Sequence, residues 1–168
     1  MPATAWAQHR RTPYADLNAA GADVGLFVPH QDGMSTGPLI EGFFEHYMSS
    51  RDSLRVDVGW MNPHRSDDSN VKTREVRIGG NLLHNWEGGA VHPYVGAGLG
   101  VYFLQTRING NNAGSGATKF GGALIGGIEF FTSRTFSVKG EAAYHIVTDS
   151  GSYDPSGLAL SIGVKAYF

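Results

Sequence analysis

The sequence predicts an all-β fold, an eight-stranded antiparallel up-and-down transmembrane β-barrel. Three observations carry that prediction. About eight stretches of roughly ten residues alternate apolar with polar or small residues, separated by clusters of Gly, Asn, Asp and Ser. Gly occurs 24 times in 168 residues, roughly twice the usual share, and charged residues make up only 17%, against about 25% in ordinary soluble domains. No window carries a convincing 3.6-residue period, and no stretch approaches the ~18 uninterrupted apolar residues of a spanning helix. A helical membrane protein is thereby excluded, whereas one that crosses with strands is not.

Composition narrows the function classes. The formal net charge is −2 and the isoelectric point about 6.4, which argues against a basic nucleic-acid surface. With no Cys there is no disulfide framework, no CxxC redox pair and no thiolate zinc site. The length suits a single domain.

Taken in order, the elements begin with a lead-in over residues 1–20. Ala3, Ala5 and Ala7 ahead of Gln8 read as the cleavage end of a secretory signal, without its charged and apolar portions. A plain Ala-rich start is the competing reading. Residues 8–20, with Arg10, Arg11 and Pro13, show no period and are taken as a polar lead-in on the periplasmic side. The barrel is expected over 21–168.

Strands are expected at 22–30, 37–48, 53–63, 71–84, 91–107, 117–131, 135–147 and 157–168. The facing of 37–48 is the least decided, because Glu41 and Glu45 share parity with Phe43 and Tyr47. In 53–63, Leu54, Val56, Val58 and Trp60 oppose Arg55, Asp57 and Gly59, since successive side chains point to opposite sides of a sheet. In 71–84, Val76, Ile78 and Leu82 oppose Glu75, Arg77, Gly79 and Asn81. In 91–107, Val91, Val95, Leu99, Val101 and Phe103 oppose His92, Gly96, Gly98 and Gly100. In 117–131, Phe120, Leu124, Ile128 and Phe130 oppose Lys119, Gly121, Gly127 and Glu129. In 135–147, Phe136, Val138, Ala142, Tyr144 and Ile146 oppose Ser137, Lys139, Glu141 and His145. The stretch 157–168 is cleanest, with Leu158, Leu160, Ile162, Val164, Ala166 and Phe168 against Gly157, Ala159, Ser161, Gly163, Lys165 and Tyr167.

Alternation alone does not choose between a soluble barrel, apolar inside, and a membrane barrel, apolar outside. The polar face decides. It is mostly Gly, Ala and Ser broken by charges of both signs, which suits a narrow interior, and not the Lys-, Glu- and Thr-rich wall that water would require. Strand lengths match the 9–11 residues, roughly, of a tilted membrane strand and exceed the globular mode of about 5–6. Aromatics cluster toward strand ends, with Trp60, Phe103, Phe120 and Tyr144 at one rim and Phe130, Phe136 and Phe168 at the other, as in interfacial girdles. Leu158, Leu160, Ile162 and Val164 are therefore expected to face lipid. Short connections at 49–52, 85–89 and 132–134 alternate with longer, more polar ones at 31–36, 65–70, 108–116 and 148–156. That pattern predicts periplasmic turns, extracellular loops and, with an even strand count, both termini in the periplasm.

The segment His92-Pro93-Tyr94-Val95-Gly96-Ala97-Gly98-Leu99-Gly100-Val101 resembles a strand of small bacterial outer-membrane β-barrel proteins of the OmpA-like transmembrane-domain type. The last strand ends Lys165-Ala166-Tyr167-Phe168, and the resemblance implies that the aromatic Phe168 is the signal read by the barrel-assembly machinery. It covers roughly residues 21–168 and implies a multi-pass protein of the bacterial outer membrane. Outer-membrane lipid, lipopolysaccharide and the assembly machinery are the partners it implies, with the barrel a monomer and no nucleic acid bound. The resemblance is specific for architecture and weak for function.

For chemistry, the inward positions hold Glu41, Glu45, Asp57, Glu75, Glu129 and Glu141 against Arg55, Arg77, Lys119, Lys139 and Lys165. Six acids facing five bases can nearly neutralise one another, so the lumen is expected to be plugged by paired charges; a conducting small-solute pore is the alternative. The seven His residues (His9, His30, His46, His64, His84, His92 and His145) form no HxH or HExxH pair, and no metal or cofactor is expected. The Gly-rich stretches 96–100 and 121–127 precede no helix and read as small lumen-facing residues, not phosphate cradles. The run 143–151 is similar to the region of outer-membrane lipid A deacylases that carries their catalytic His-x-Ser. Here His145 matches, but Val147 stands at the nucleophile position, and Ser150 and Ser152 lie in the loop. No catalytic residue is therefore assigned. An adhesin is the third class, although the loop 108–116 is nearly uncharged and lacks aromatic anchors.

Overall fold

Alternation along the chain becomes alternation across one closed sheet. The computed structural model describes residues 13–68, 70–87, 89–148 and 154–168, so the expected signal remnant at residues 1–7, Ser150 and Ser152 lie outside the described residues. Eight long strands are present: β1 (Asn18–Pro29), β2 (Gly37–Tyr47), β3 (Asp52–Met61), β4 (Val71–Asn85), β5 (Val91–Ile108), β6 (Ala117–Phe131), β7 (Phe136–Val147) and β8 (Gly157–Tyr167). Each pairs antiparallel with its sequence neighbours, and β1 pairs with β8 to close the barrel.

The strand boundaries lie close to those expected from alternation, with one clear difference. β1 starts at Asn18, inside the stretch read as lead-in. Ala19 and Leu17 are buried there against Tyr47 and Tyr167, and Asn18 and Phe168 exchange backbone hydrogen bonds of 3.1 and 2.9 Å. Small residues such as Ala19 and Gly21 hide a periodicity that hydropathy would otherwise reveal.

The register sets the stagger. Following inward-facing partners, Ala19 leads to Glu45, Arg55, Asn81, Gly98, Ala123, His145 and Gly157, and the row returns to β1 at Pro29. A row that leaves at position 19 and returns at 29 requires strongly tilted strands, about 35–45° from the axis. The wall facing outward is apolar: Leu99, Phe120, Ile162, Ile128 and Leu124 are each more than half exposed, and Leu160 and Val164 nearly so. On β8, Leu160, Ile162 and Val164 are exposed while Ala159, Lys165 and Tyr167 are buried.

At one end the strands are joined by short turns, and both described chain ends lie there, Asn18 beside Phe168. At the same rim Phe44 packs against Phe168, with ring centroids 6.4 Å apart, and Phe130 and Phe136 complete the girdle. The longer loops occupy the other end. Between β5 and β6, Asn109 and Gly110 both adopt positive φ (52° and 81°), the backbone of a type I′ turn. That turn lets Ile108 pair with Asn111 and Arg107 with Asn112, so the sheet continues into the loop.

Candidate functional site: the charged lumen

Inward parity delivers charge to a space too narrow for water to solvate it. The structure places Arg55, Asp57, Glu75, Arg77, Lys119, Glu129, Lys139, Glu141 and Lys165 inside the barrel, each nearly or fully buried. Glu41 and Glu45 face inward too, together with Phe43 and Tyr47, so the whole parity of β2 points to the lumen.

Six elements contribute to one continuous chain of ions. Near the short-turn end, Lys165 on β8 lies 2.9 Å from Glu129 on β6 and 3.1 Å from Glu45 on β2. Ser137 and Tyr167 also donate to Glu129, and Ser53 donates to Glu45 at 2.7 Å. Arg55 on β3 binds Glu45 at 3.1 Å and reaches Glu141 on β7 at 2.5 Å. Tyr94 on β5 donates to the same Glu141 oxygen at 2.7 Å. Lys139 lies 3.1 Å from Glu141 and 2.7 Å from Asp23 on β1. The Phe43 ring lies close to both cations, with Arg55 4.7 Å and Lys139 4.6 Å from its centroid.

A second group lies beside the first. Arg77 pairs with Asp57, donates to Asn81 at 3.1 Å and lies 3.6 Å from Glu41; Asn81 donates to Asp57. Toward the loops, Tyr102 and His145 share a hydrogen bond of 2.9 Å. The cavity left among Glu41, Arg55, Asp57, Arg77, Glu141 and His145 is only about 10 Å³, room for at most one water.

Several participants were not read from the sequence. Asp23 shares parity with Gly21 and Gly25, and that was the available signal; with it, seven acids face five bases among the described residues. Tyr94 and Tyr102 supply neutral hydrogen bonds that charge counting overlooks, alongside Asn81 and Ser137, whose inward facing the alternation does give. Pairing is also incomplete. Glu75 is fully buried, yet neither of its oxygens has a hydrogen-bond partner among the described residues. Its register mate on β3 is Met61 and on β5 Leu104, so the residues directly opposite it offer no side-chain donor.

Asp23, Glu41 and Glu141 bring carboxylate oxygens within 4.8 Å of one another. The Lys139 ammonium enters that space and contacts two of the three, taking the position that a cation would need. The rim histidines make local bonds: His46 with Asn18 at 2.9 Å, His84 with Asp52 at 2.7 Å and His92 with the Gly89 carbonyl at 3.1 Å. In the loop after β3, Arg65 donates to both Asp67 oxygens at 3.0 and 2.9 Å and holds that carboxyl below its ordinary pKa.

The geometry of His145 bears on the esterase pattern. It is buried in the lumen, its described side-chain hydrogen bond goes to Tyr102, and Val147 is buried on the same face. The lipid-facing wall, where an acyl chain would lie, is on the other side of the strand.

The model of the outer membrane protein beta-barrel domain family matches residues 1–168. The chain belongs to that family. It is thus an outer-membrane β-barrel, and solved structures agree on the fold. Neisserial surface protein A superposes with a TM-score of 0.71 at 15% identity, covering 92% of this chain and 98% of that one. Ail, the attachment invasion locus protein of Yersinia pestis, gives 0.63 at 11% identity, covering 92% and 99%. The outer membrane enzyme PagL gives 0.54 at 17% identity, covering 89% and 98%. Comparison with curated proteins gives no match. At these identities the likeness extends to the fold alone, and an enzyme stands among the neighbours of this outer-membrane barrel.

Proposed function

We propose that this outer-membrane barrel acts as a closed structural and surface element, without enzymatic or general porin activity. The ion chain from Glu129 through Lys165, Glu45, Arg55, Glu141 and Lys139 to Asp23 carries the reading. A solute crossing the lumen would have to separate buried pairs, and breaking one costs about 3–5 kcal/mol. The alternation of short turns with longer loops supports termini in the periplasm and loops outside the cell. The barrel works as a monomer in this reading, because every long strand already has a partner on both sides. It associates with membrane lipid and enters the membrane through the barrel-assembly machinery.

Recording from the purified barrel in planar bilayers tests the reading. Silence or rare small events are expected, and stable large steps from monomers would refute it. The esterase alternative needs a nucleophile beside His145, and the described geometry supplies Tyr102 instead. Incubation with lipid A should release no fatty acid; a released acyl chain that disappears in His145→Ala would restore that alternative.

A further inference from the structure

The outer wall changes chemistry abruptly at the loop end of β3, β4 and β5. One row across these strands is apolar, with Trp60 paired to Val76 and Val76 to Phe103. One pleat further toward the loops, Arg74 pairs with Gln105, and the next row joins His64, Lys72 and Arg107. Lys72 and Arg74 alternate with the buried Thr73 and Glu75, so both point away from the lumen. The cations therefore begin two residues past the apolar girdle, a distance of roughly 7 Å along a strand. That is the depth at which lipid headgroups meet the hydrocarbon edge.

Among the described residues, no carboxylate neutralises these cations. Among the described residues none of Lys72, Arg74 and Arg107 forms an ion pair with a carboxylate; Arg107 donates to the neutral Asn112 at 3.2 Å, and the nearby Arg65 is taken up by Asp67. The opposite rim of the same strands differs, for there Asp52 is paired with His84 beside Trp86. Around the three cations lies a recess of about 540 Å³, to which Trp60, Asn62 and Asn70 also contribute.

We propose that this recess binds the phosphate groups of a membrane lipid headgroup, and that in the outer leaflet this is the phosphorylated headgroup of a lipopolysaccharide. Two guanidinium forks and one ammonium suit phosphate oxygens, and amide side chains suit the neighbouring sugar hydroxyls. The apolar row of Trp60, Val76 and Phe103 directly beneath favours a lipid over a soluble polyanion, since it accepts the acyl chains of the same molecule. Only the choice of leaflet rests on the orientation proposed above.

Native mass spectrometry of the full barrel in detergent tests the site with three probes: bisphosphorylated lipid A, the same lipid dephosphorylated, and inositol hexakisphosphate. The phosphorylated lipid should bind about tenfold more tightly than the dephosphorylated one, and Lys72→Gln/Arg74→Gln/Arg107→Gln should abolish the difference. Heat-shifted gel migration checks that the variant is folded. If it is not, Lys72→Gln and Arg107→Gln singly should each weaken binding about threefold. Equal binding of the two lipids, or no loss in the folded variants, would overturn the site; equally tight inositol hexakisphosphate would overturn the commitment to a lipid. Labelling of Gly33→Cys on intact cells reads orientation separately, so loops found in the periplasm would change the leaflet and leave the phosphate site standing.

Discussion

Arg55 on β3 and Glu141 on β7 meet across the lumen at 2.5 Å although 86 positions separate them. The contact ties opposite walls of the barrel together, and Arg55 simultaneously holds Glu45 on the neighbouring strand. Arg55→Ala should therefore leave two buried carboxylates exposed to one another and cost about 3–5 kcal/mol in urea unfolding from lipid vesicles. Glu141→Gln should cost less, and the double variant less than the sum of the two. Strict additivity would show that the pair does not couple.

Lipid exposure of β8 gives a second measurement. Ile162 lies midway along the strand with its side chain outward and 67% exposed. Ile162→Arg should cost about 2–4 kcal/mol in bilayers. A negligible loss would mean that this face does not meet hydrocarbon.

Two adjacent glycines provide a sharper test of wall polarity. A Cβ on Gly127 would strike the Tyr94 ring and its hydroxyl, whereas a Cβ on Gly126 meets nothing within 4 Å. Gly127→Ala should displace Tyr94 from Glu141 and lower the midpoint of unfolding, by an amount typical of overpacking, about 1–3 kcal/mol. Gly126→Ala should be nearly neutral or slightly stabilising. Equal effects would contradict the assigned facing of β6.

Phe168 is the fourth test. Its ring is 67% exposed against Phe44, and its backbone closes the barrel with Asn18. Removing it should leave unassembled chain in the periplasm while refolding in detergent suffers less. Equal insertion of both forms in cells would remove the recognition role drawn from the family resemblance.

Much of this architecture is legible from side-chain parity. Arg77, Gly79 and Asn81 share a face with Glu75 because strands have a period of two, and no tertiary knowledge is needed to see it. The partners are another matter. Whether Arg55 meets Glu141 or Glu129 depends on the stagger accumulated around the barrel, which no local pattern encodes. Asp23 is hard to read because the glycines around it weaken the alternation, and Tyr94 because its hydroxyl carries no charge to count. For the same reason the lack of a hydrogen-bond partner for Glu75 among the described residues is visible only in three dimensions: its neighbours on the adjacent strands, Met61 and Leu104, are far away in the chain.

The hydrogen bonds between Asn18 and Phe168 also impose a timetable on biogenesis. β1 is synthesised first, yet its second neighbour, β8, is the last strand to emerge. Throughout that interval β1 carries a row of free amides and carbonyls, a template for any other extended chain. The pairing that removes it is the longest-range strand pairing among the described residues and thus intrinsically slow to form. A chain of this design needs an escort from the moment β1 is made until β8 arrives, and a stall before residue 157 would leave an aggregation-prone sheet with no means of sealing itself.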